Sequence, residues 1–564
     1  MPSRAPARDL SIYHERTRAR GVNPVVYWIV RGVLQPLVTI YFRLSRIGRE
    51  HVPREGGVLL APNHRSFLDP IVIAISVRRP AYFMAKQELF NNRLQAWLLN
   101  SLGAFPVRRG EADEDAMNTA RMLLEGGEMV FVFPEGTRIK KGSLGKPKRG
   151  VGRLALETGA PVVPIAVIAT DKARRGWKVR PVKVKIRFGR PLTFPRVEHP
   201  SPRLAAEVTA RIWPCVELQW EWLGGLPPLR KAAIVGAGSM GTALATLLAR
   251  ARIEVQLGCR TQATADRIQE QRENERLPGV ELPDKVKVSA VADIEFGGVD
   301  LVCLAVPSRD LPAAVAQVGA RTGQRSAVLV LSKGLVPPLG LTPTRYVAER
   351  IPARAVGALG GPAHAADAVS HGASVVLASS DADFRAQFSK ILRDAGLDVE
   401  TTDDVAGAEL AACGKNAAVL AAAAAAGSGM NAAGAAASRV FAETHELALH
   451  AGGRTETFLG LAGTGDLVGE TLANHSRERR AGELLARGVP ADQIAVLLEE
   501  TPESLDAVPL LVRAFEEAGL EAPATHDLGA LIDGRLAPEE WVASVRARKA
   551  GGRWRERVTA GSRG

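Results

Sequence analysis

The sequence predicts an α/β chain: an N-terminal α/β domain, then a parallel-sheet α/β domain, then an all-helical domain. Short apolar runs alternate with helix-period segments from Gly57 to about residue 195, and again from Lys231 to about residue 402. A Gly/Pro-rich break, LGGLPPLRK at 223–231, separates the two series. Strand signals stop near residue 405, where NAAVLAAAAAAGSGMNAAGAAAS opens a helical region; alanine at that density implies close-packed helices. The boundaries fall at 1–228, 229–402 and 403–550, with 551–564 expected to be a disordered tail.

Charge divides the same way. Residues 1–228 hold 37 Lys+Arg against 19 Asp+Glu, a net of +18, whereas the remainder holds 36 against 41, a net of −5. The two halves therefore face different partners, and the basic half suits an anionic membrane surface. No stacking-aromatic or helix-turn-helix pattern accompanies the charge, so nucleic acid is not expected. The cysteines (Cys215, Cys259, Cys303, Cys413) are scattered without a CxxC pair, which argues against a metal site or disulfide framework and for a reducing cytosol. The first twenty residues lack the apolar core of a signal peptide.

The first element is VVYWIVRGVLQPLVTIYF (25–42). Arg31, Gln35 and Pro36 in its middle argue against a spanning helix. Trp28, Tyr27 and Tyr41, flanked by Arg20 and Arg43, fit a helix lying in a membrane interface, although an ordinary buried helix has the same periodicity. Short apolar, strand-like runs follow at GVLLA, IVIAIS, MVFVF, APVVPIAVIA and VKVKIRF. The last, with Lys183, Lys185 and Arg187, either faces lipid phosphates or is a charged edge strand.

After GVLLA, the segment APNHRSFLDP places His64 five residues before Asp69. A histidine base needs a carboxylate to fix its tautomer and stabilise the imidazolium. FPEGTR (133–138) follows MVFVF and offers Glu135, Gly136, Thr137 and Arg138; a glycine admits an anion close to backbone and Arg138 can grip phosphate. GAFPVRRG (103–110) adds Arg108 and Arg109, and KRGVGRLALETGAPVVPIAV (148–167) completes four blocks. In this order and spacing they resemble the glycerol-phosphate and lysophosphatidate acyltransferase family over residues 50–195. The resemblance implies His64 as base on a glycerol hydroxyl, Asp69 as its orienter, and a phosphate site shaped by Arg109, Glu135, Gly136, Thr137 and Arg138. The acyl donor would be acyl-CoA or acyl-carrier protein. Family members often carry an acidic residue where Arg108 or Arg109 falls, so the acceptor stays open between glycerol 3-phosphate and its monoacyl form.

In the second series, IVGAGSMGTALA (234–245) sets Gly236, Gly238 and Gly241 between a strand and a helix, the pattern of a Rossmann dinucleotide site. The next strand ends in GCRT, where an NAD-preferring site places a carboxylate; Arg260 instead suits the 2′-phosphate of NADPH, with NADH possible. LVCLAVPS and VLSKGL bring Lys333 to a strand's C-terminal end, and Lys415 and Asn416 lie in an apolar helical run where burial is expected to lower the lysine pKa. GAGSMG, NERLPG, AVPS, SKGL, GGPAHAA, GKN, GLAGTGDL and SRERR together resemble bacterial glycerol-3-phosphate dehydrogenase over about residues 230–550. That resemblance implies Lys415 as proton donor or acceptor. Substrate would be held by Lys333, Gly361, Ala363, Asn416, Asp466, Ser476, Arg477 and Glu478. The cofactor would be held by Gly236, Gly238, Ser239, Met240, Gly241, Arg260, Lys333, Ala365, Arg477 and Glu500.

Four positions depart from the family: Glu478 replaces Asn beside the phosphate-gripping Arg477, Ala363 a small hydroxylated residue, His364 an aromatic, and EETPES lacks a Gly after Glu500. A carboxylate at Glu478 facing phosphate would repel it. The whole implies a bifunctional phospholipid-precursor enzyme, cytoplasmic, resting on the inner face of the membrane and homo-oligomeric. The alternative is an active acyltransferase with a degenerate, NADPH-sensing dehydrogenase module.

Overall fold

The computed structural model describes residues 10–547 apart from 109–112, 140–141, 176–177, 474–475 and 500. Arg109, Glu500 and the predicted tail 551–564 therefore lie outside the described residues. The chain divides into two compact units, Met1–Pro228 and Leu229–Gly564.

The first unit is built on strands β1 (Ser45–Ile47), β2 (Val58–Pro62), β3 (Ala81–Lys86), β4 (Ala104–Val107), β5 (Met129–Phe131), β6 (Val162–Ile168), a short hairpin β7–β8 (Arg174–Arg175, Lys178–Val179) and β9 (Lys185–Phe188). Seven of them form one sheet in the order β1-β9-β6-β2-β5-β3-β4, parallel except at β6–β9. Successive residues of a strand point to opposite faces. Leu60 and Phe131 accordingly join a core with Val72 and Ile73 on one side, and Leu59 and Val130 join Phe105, Leu154 and Ile212 on the other. The helices are α1 (Ser11–Arg20), α2 (Pro24–Tyr41), α3 (Asp69–Ser76), α4 (Arg93–Ser101), α5 (Glu114–Glu125), α6 (Gly150–Thr158) and α7 (Pro202–Trp222). The run IVIAIS, expected among the strands, is helical: it lies in α3, with Val72, Ile73 and Ile75 buried, and a short apolar run reads the same in a strand and in a buried helix. β9 is not the edge strand the sequence allowed, because β1 pairs along it; Arg187 is spent on Gln219 and stacks over Trp222.

The sequence of α2 sorts by face. Arg31 is buried, donating to Tyr27, Gln35 and the Ala74 and Val77 carbonyls. Val25, Trp28, Ile29, Val33, Leu37 and Ile40 point outward, Ile40 at 77% exposure. By length and composition α2 is able to cross a membrane, and it is the only such helix among the described residues.

The second unit holds β10 (Lys231–Val235), α8 (Ser239–Arg250), β11 (Glu254–Cys259), a hairpin β12–β13 (Glu273–Asn274, Leu277–Glu281), β14 (Val286–Ala290), β15 (Leu301–Leu304), β16 (Ala327–Val330), β17 (Ala355–Gly360), β18 (Ser374–Ala378) and β19 (Asp398–Thr402). The sheet order is β14-β11-β10-β15-β16-β17-β18-β19, with only β17–β18 antiparallel. The chain leaves β10 toward β11 and returns to β15 on its other side, so the topological switch point lies between β10 and β15. A doubly wound sheet opens its ligand crevice there. Helix Val405–Ala426 begins at the Asp404 cap and is buried along nearly its whole length. Gly414 allows the helix Met430–His450 to approach, since a Cβ there would stand 2.9 Å from Thr444 Cβ.

Candidate active sites

In the first unit, the turn between β2 and α3 folds Asp69 back on His64. Asp69 Oδ2 lies 2.9 Å from His64 Nδ1 and also accepts the Arg65 and Ser66 N–H groups at 2.6 and 2.7 Å. Its Oδ1 accepts the Thr170 hydroxyl at 2.6 Å, and both Asp69 and Thr170 are wholly buried. A carboxylate on Nδ1 holds the proton there and leaves Nε2 as the basic nitrogen. Phe133 stacks on the imidazole with ring centroids 3.9 Å apart, which fixes the ring plane.

Glu135 has a different task from the one expected of it. Its Oε2 accepts the His64 N–H at 2.5 Å and its Oε1 the Gly145 N–H at 2.7 Å. Only 3% of the residue is exposed, and it clamps the His64 turn to the loop before α6. Burial pushes its carboxyl up to about 7, against the downward pull of those two N–H groups. Thr137 and Arg138 are exposed, and Gly136 (φ +65°) turns the loop so tightly that a Cβ would sit 3.0 Å from the Lys148 side chain. Lys148, from the basic run KPKRG just before α6, is a neighbour that the sequence does not single out.

In the second unit the three glycines have three separate tasks. At Gly236 (φ +109°) a Cβ would meet the Ala305 carbonyl at 2.4 Å; at Gly241 it would meet the Gly236 carbonyl at 1.9 Å. At Gly238 it would meet nothing within 4 Å. The first and third glycines thus pack the turn against β15 and α8, while the second presents bare backbone to open space, as a pyrophosphate requires. Asn274 of NERLPG donates to the Ala237 carbonyl and Thr242, and Ser239 Oγ donates to the Arg276 carbonyl, bracing the loop. Met240 lies in the first turn of α8. Arg260 stands at the end of β11, 88% exposed, with Asp310 3.7 Å away. These groups fit a dinucleotide.

Beside the sheet's C-terminal end lies a cluster of two lysines and two carboxylates. Lys333 Nζ is 2.7 Å from Asp466 Oδ2 and 3.4 Å from the Gly361 carbonyl. Lys415 Nζ is 3.1 Å from Glu470 and 3.5 Å from the other Asp466 oxygen. Burial acts to lower the Lys415 pKa, as expected from its helix, but Asp466 and Glu470 outweigh it and the pKa is raised; the expected direction is corrected. Glu470 is the counterpart: burial raises it, yet Lys415 and Ser476 bring it down to about 2. Asn416 is buried next to Lys415. Ser476 caps the helix Arg477–Leu485, and Arg477 is exposed in its first turn. Ala363 is half-buried in the loop after β17, and Ala365, also half-buried, opens the helix Ala365–Ser370.

Glu478 is buried and turned toward a neighbouring helix. It accepts the Ser504 hydroxyl and the Glu503 N–H, capping the helix Glu503–Ala518, and burial pushes its carboxyl up to about 7. Glu503 in turn accepts the Ser308 and Lys333 N–H groups at 2.9 and 3.2 Å, tying the loops after β15 and β16 to that helix. Sequence motifs alone assign no role to Glu470 or Glu503. Glu470 had a signal: it stands one helical turn beyond Asp466, on the same face.

A nucleotide-cradling sheet with a lysine–carboxylate pocket defines a dinucleotide-dependent oxidoreductase, and the first unit's buried His–Asp pair defines a base-catalysed transferase. Comparison with known proteins agrees. Residues 43–168 match the family model "Acyltransferase". Residues 231–385 and 404–543 match the N- and C-terminal models of NAD-dependent glycerol-3-phosphate dehydrogenase. The glycerol-3-phosphate dehydrogenase [NAD(P)+] of Variovorax paradoxus is 35% identical over 332 residues, spanning 56% of this chain and 97% of the relative. That of Mycobacterium avium is 31% identical over 308 residues, spanning 54% and 90%. The crystal structure of the Coxiella burnetii glycerol-3-phosphate dehydrogenase is 28% identical with a TM-score of 0.54, covering 57% of this chain and all of that one. The chain belongs to the NAD-dependent glycerol-3-phosphate dehydrogenase family and carries an acyltransferase domain ahead of it.

Proposed function

We propose that the chain is bifunctional. Its second unit reduces dihydroxyacetone phosphate to sn-glycerol 3-phosphate, and its first esterifies glycerol 3-phosphate or 1-acylglycerol 3-phosphate from acyl-CoA or acyl-carrier protein. The observation that carries the reading is the Lys333–Asp466–Lys415–Glu470 cluster beside an open dinucleotide crevice. Residues 229–402 serve as the dinucleotide-binding part and 403–550 as the substrate part. Bound NAD(P)H supplies hydride to C2 of the substrate. Lys415, kept protonated by its carboxylates, gives a proton to the C2 oxygen, which leaves the secondary alcohol. Lys333 and Asn416 orient the carbonyl, Asp466 fixes both lysines, and Ser476 and Arg477 hold the phosphate. Arg260 favours NADPH; its exposed pair with Asp310 is weak enough to yield to a 2′-phosphate.

In the first unit His64 Nε2 takes the proton of the acceptor hydroxyl as its oxygen attacks the thioester carbonyl, and the proton leaves with the departing thiol. Arg138 and Lys148 meet the acceptor phosphate. The outward apolar face of α2 and the +18 charge of residues 1–228 support placement on the cytoplasmic face of an anionic membrane.

The test is NADPH absorbance with dihydroxyacetone phosphate alongside an acyl-acceptor assay on the full chain. Lys415→Ala is expected to abolish reduction and spare acyl transfer, and His64→Ala to do the reverse. Loss of both activities from either substitution in a folded protein would refute two independent sites.

A further inference from the structure

The C-terminal end of α3 is ringed by arginines that, among the described residues, no carboxylate pairs with. Arg31 donates to the Ala74 and Val77 carbonyls, Arg49 to Val77 at 3.1 Å, and Arg46 to Thr39 at 2.7 Å and Ser76 at 3.4 Å. Arg78 is exposed alongside. Among the described residues none of the four joins a salt bridge, and the Nε of Arg49 is buried without a hydrogen-bond partner. Capping does not account for this much charge. A helix C-terminus is equivalent to about −0.5 charge, whereas four guanidiniums bring about +4. Burial and then mutual repulsion depress the pKa of Arg46 (from Arg49 and Arg31) and of Arg49 (from Arg78 and Arg31).

The charge opens onto a cavity of about 530 Å³ between α2 and β1, lined by Trp28, Arg31, Gln35, Thr39, Ile40 and Arg46. On its outer side runs the apolar face of α2, with Trp28 half-exposed at the rim. Cationic floor, amphipathic rim and apolar outer wall are the complement of one chemistry: a phosphate group with acyl chains attached.

We propose that this arginine pocket is a binding site for the phosphate headgroup of an anionic membrane phospholipid, separate from the acyl-transfer centre at the other end of α3. It rests on the membrane placement proposed above and adds lipid selectivity to it.

The full chain is tested by cosedimentation with phosphatidylcholine vesicles and with equimolar phosphatidylcholine–phosphatidylglycerol vesicles. Arg46→Gln is compared with Arg203→Gln, which removes equal charge from the exposed side of α7. Acyl transfer in neutral detergent reports folding. At about 1 kcal/mol per basic residue at the membrane surface, the pocket variant loses about fivefold in affinity for the anionic vesicles. The control variant and Arg46→Lys retain it. Equal losses in pocket and control variants would reduce the effect to diffuse charge and overturn the site while leaving membrane placement intact. Wild type that binds neither vesicle would overturn the placement itself. Saturable calorimetric binding of inorganic phosphate without vesicles, abolished in the pocket variant, would assign the pocket to a free anion and overturn the lipid.

Discussion

Replacing Glu470 by Gln removes one of the two carboxylates that hold Lys415 in the interior. Glu470 sits at about 2 rather than 4.5, with its side chain 16% exposed. That gap corresponds to about 3 kcal/mol of native-state stabilisation at neutral pH. Breaking a buried pair by removing one partner costs about 3–5 kcal/mol, a similar figure. Because the folded-state pKa is depressed, the stabilisation is complete above 4.5 and drains away as pH falls toward 2. The expected outcome is about a hundredfold faster amide exchange in helix Val405–Ala426 of Glu470→Gln at pH 7, read by hydrogen-exchange mass spectrometry. A second consequence concerns catalysis. With Glu470 neutral, Lys415 keeps its burial but loses one of the groups that raise its pKa, so its proton leaves at lower pH. The basic limb of the reduction rate profile should move to lower pH. Unchanged exchange together with an unmoved pH profile would show that the pair contributes nothing, and the proton-donor assignment would lose its support.

Thr170→Val leaves Asp69 Oδ1 buried without its donor, a cost of about 1–3 kcal/mol; acyl-transfer kcat should fall with KM little changed, and Thr170→Ser should recover it. Gly238→Ala is expected to fold normally, because its Cβ enters open space, yet to raise the NADPH dissociation constant measured by fluorescence titration. Arg260→Ala should weaken NADPH by about tenfold or more while leaving NADH binding unchanged, since only the former brings a 2′-phosphate to that strand end.

What the sequence reveals well is chemistry carried by a short segment. His64 and Asp69 are five residues apart, and the glycines at 236, 238 and 241 act through their own turn. What it hides is chemistry closed by long-range contact. Thr170 reaches Asp69 across 101 residues, Glu470 reaches Lys415 across 55, and Glu503 reaches Ser308 across 195. A buried lysine in an apolar helix was readable from periodicity, but the direction of its pKa was not, because the deciding carboxylates come from a separate helix. Glu135 misled for the same reason. Its motif marks a functional loop, but only packing shows that the carboxylate binds the backbone of His64 and Gly145.

Glu478 brings these strands together. As a free carboxylate next to Arg477 it would set a negative charge against an incoming dianion, and that repulsion at close range is worth several kcal/mol at an effective dielectric constant of about 20. The structure removes the conflict in two ways. The side chain turns to the start of the helix Glu503–Ala518, where Ser504 and the Glu503 N–H satisfy it, and burial raises its pKa to about 7, so that near neutrality it is partly protonated. The two lysines and the two carboxylates of the cluster cancel, so that in the proposed reaction Arg477 and the first turn of its helix supply the attraction for phosphate. A decayed site would have no reason to preserve that balance around Glu478. The same placement lets Glu478 hold Glu503, whose carboxylate grips the loops carrying Ser308 and Lys333. The departure from the family pattern thus acts as a structural strut between the helical layer and the cofactor loops, consistent with a working dehydrogenase.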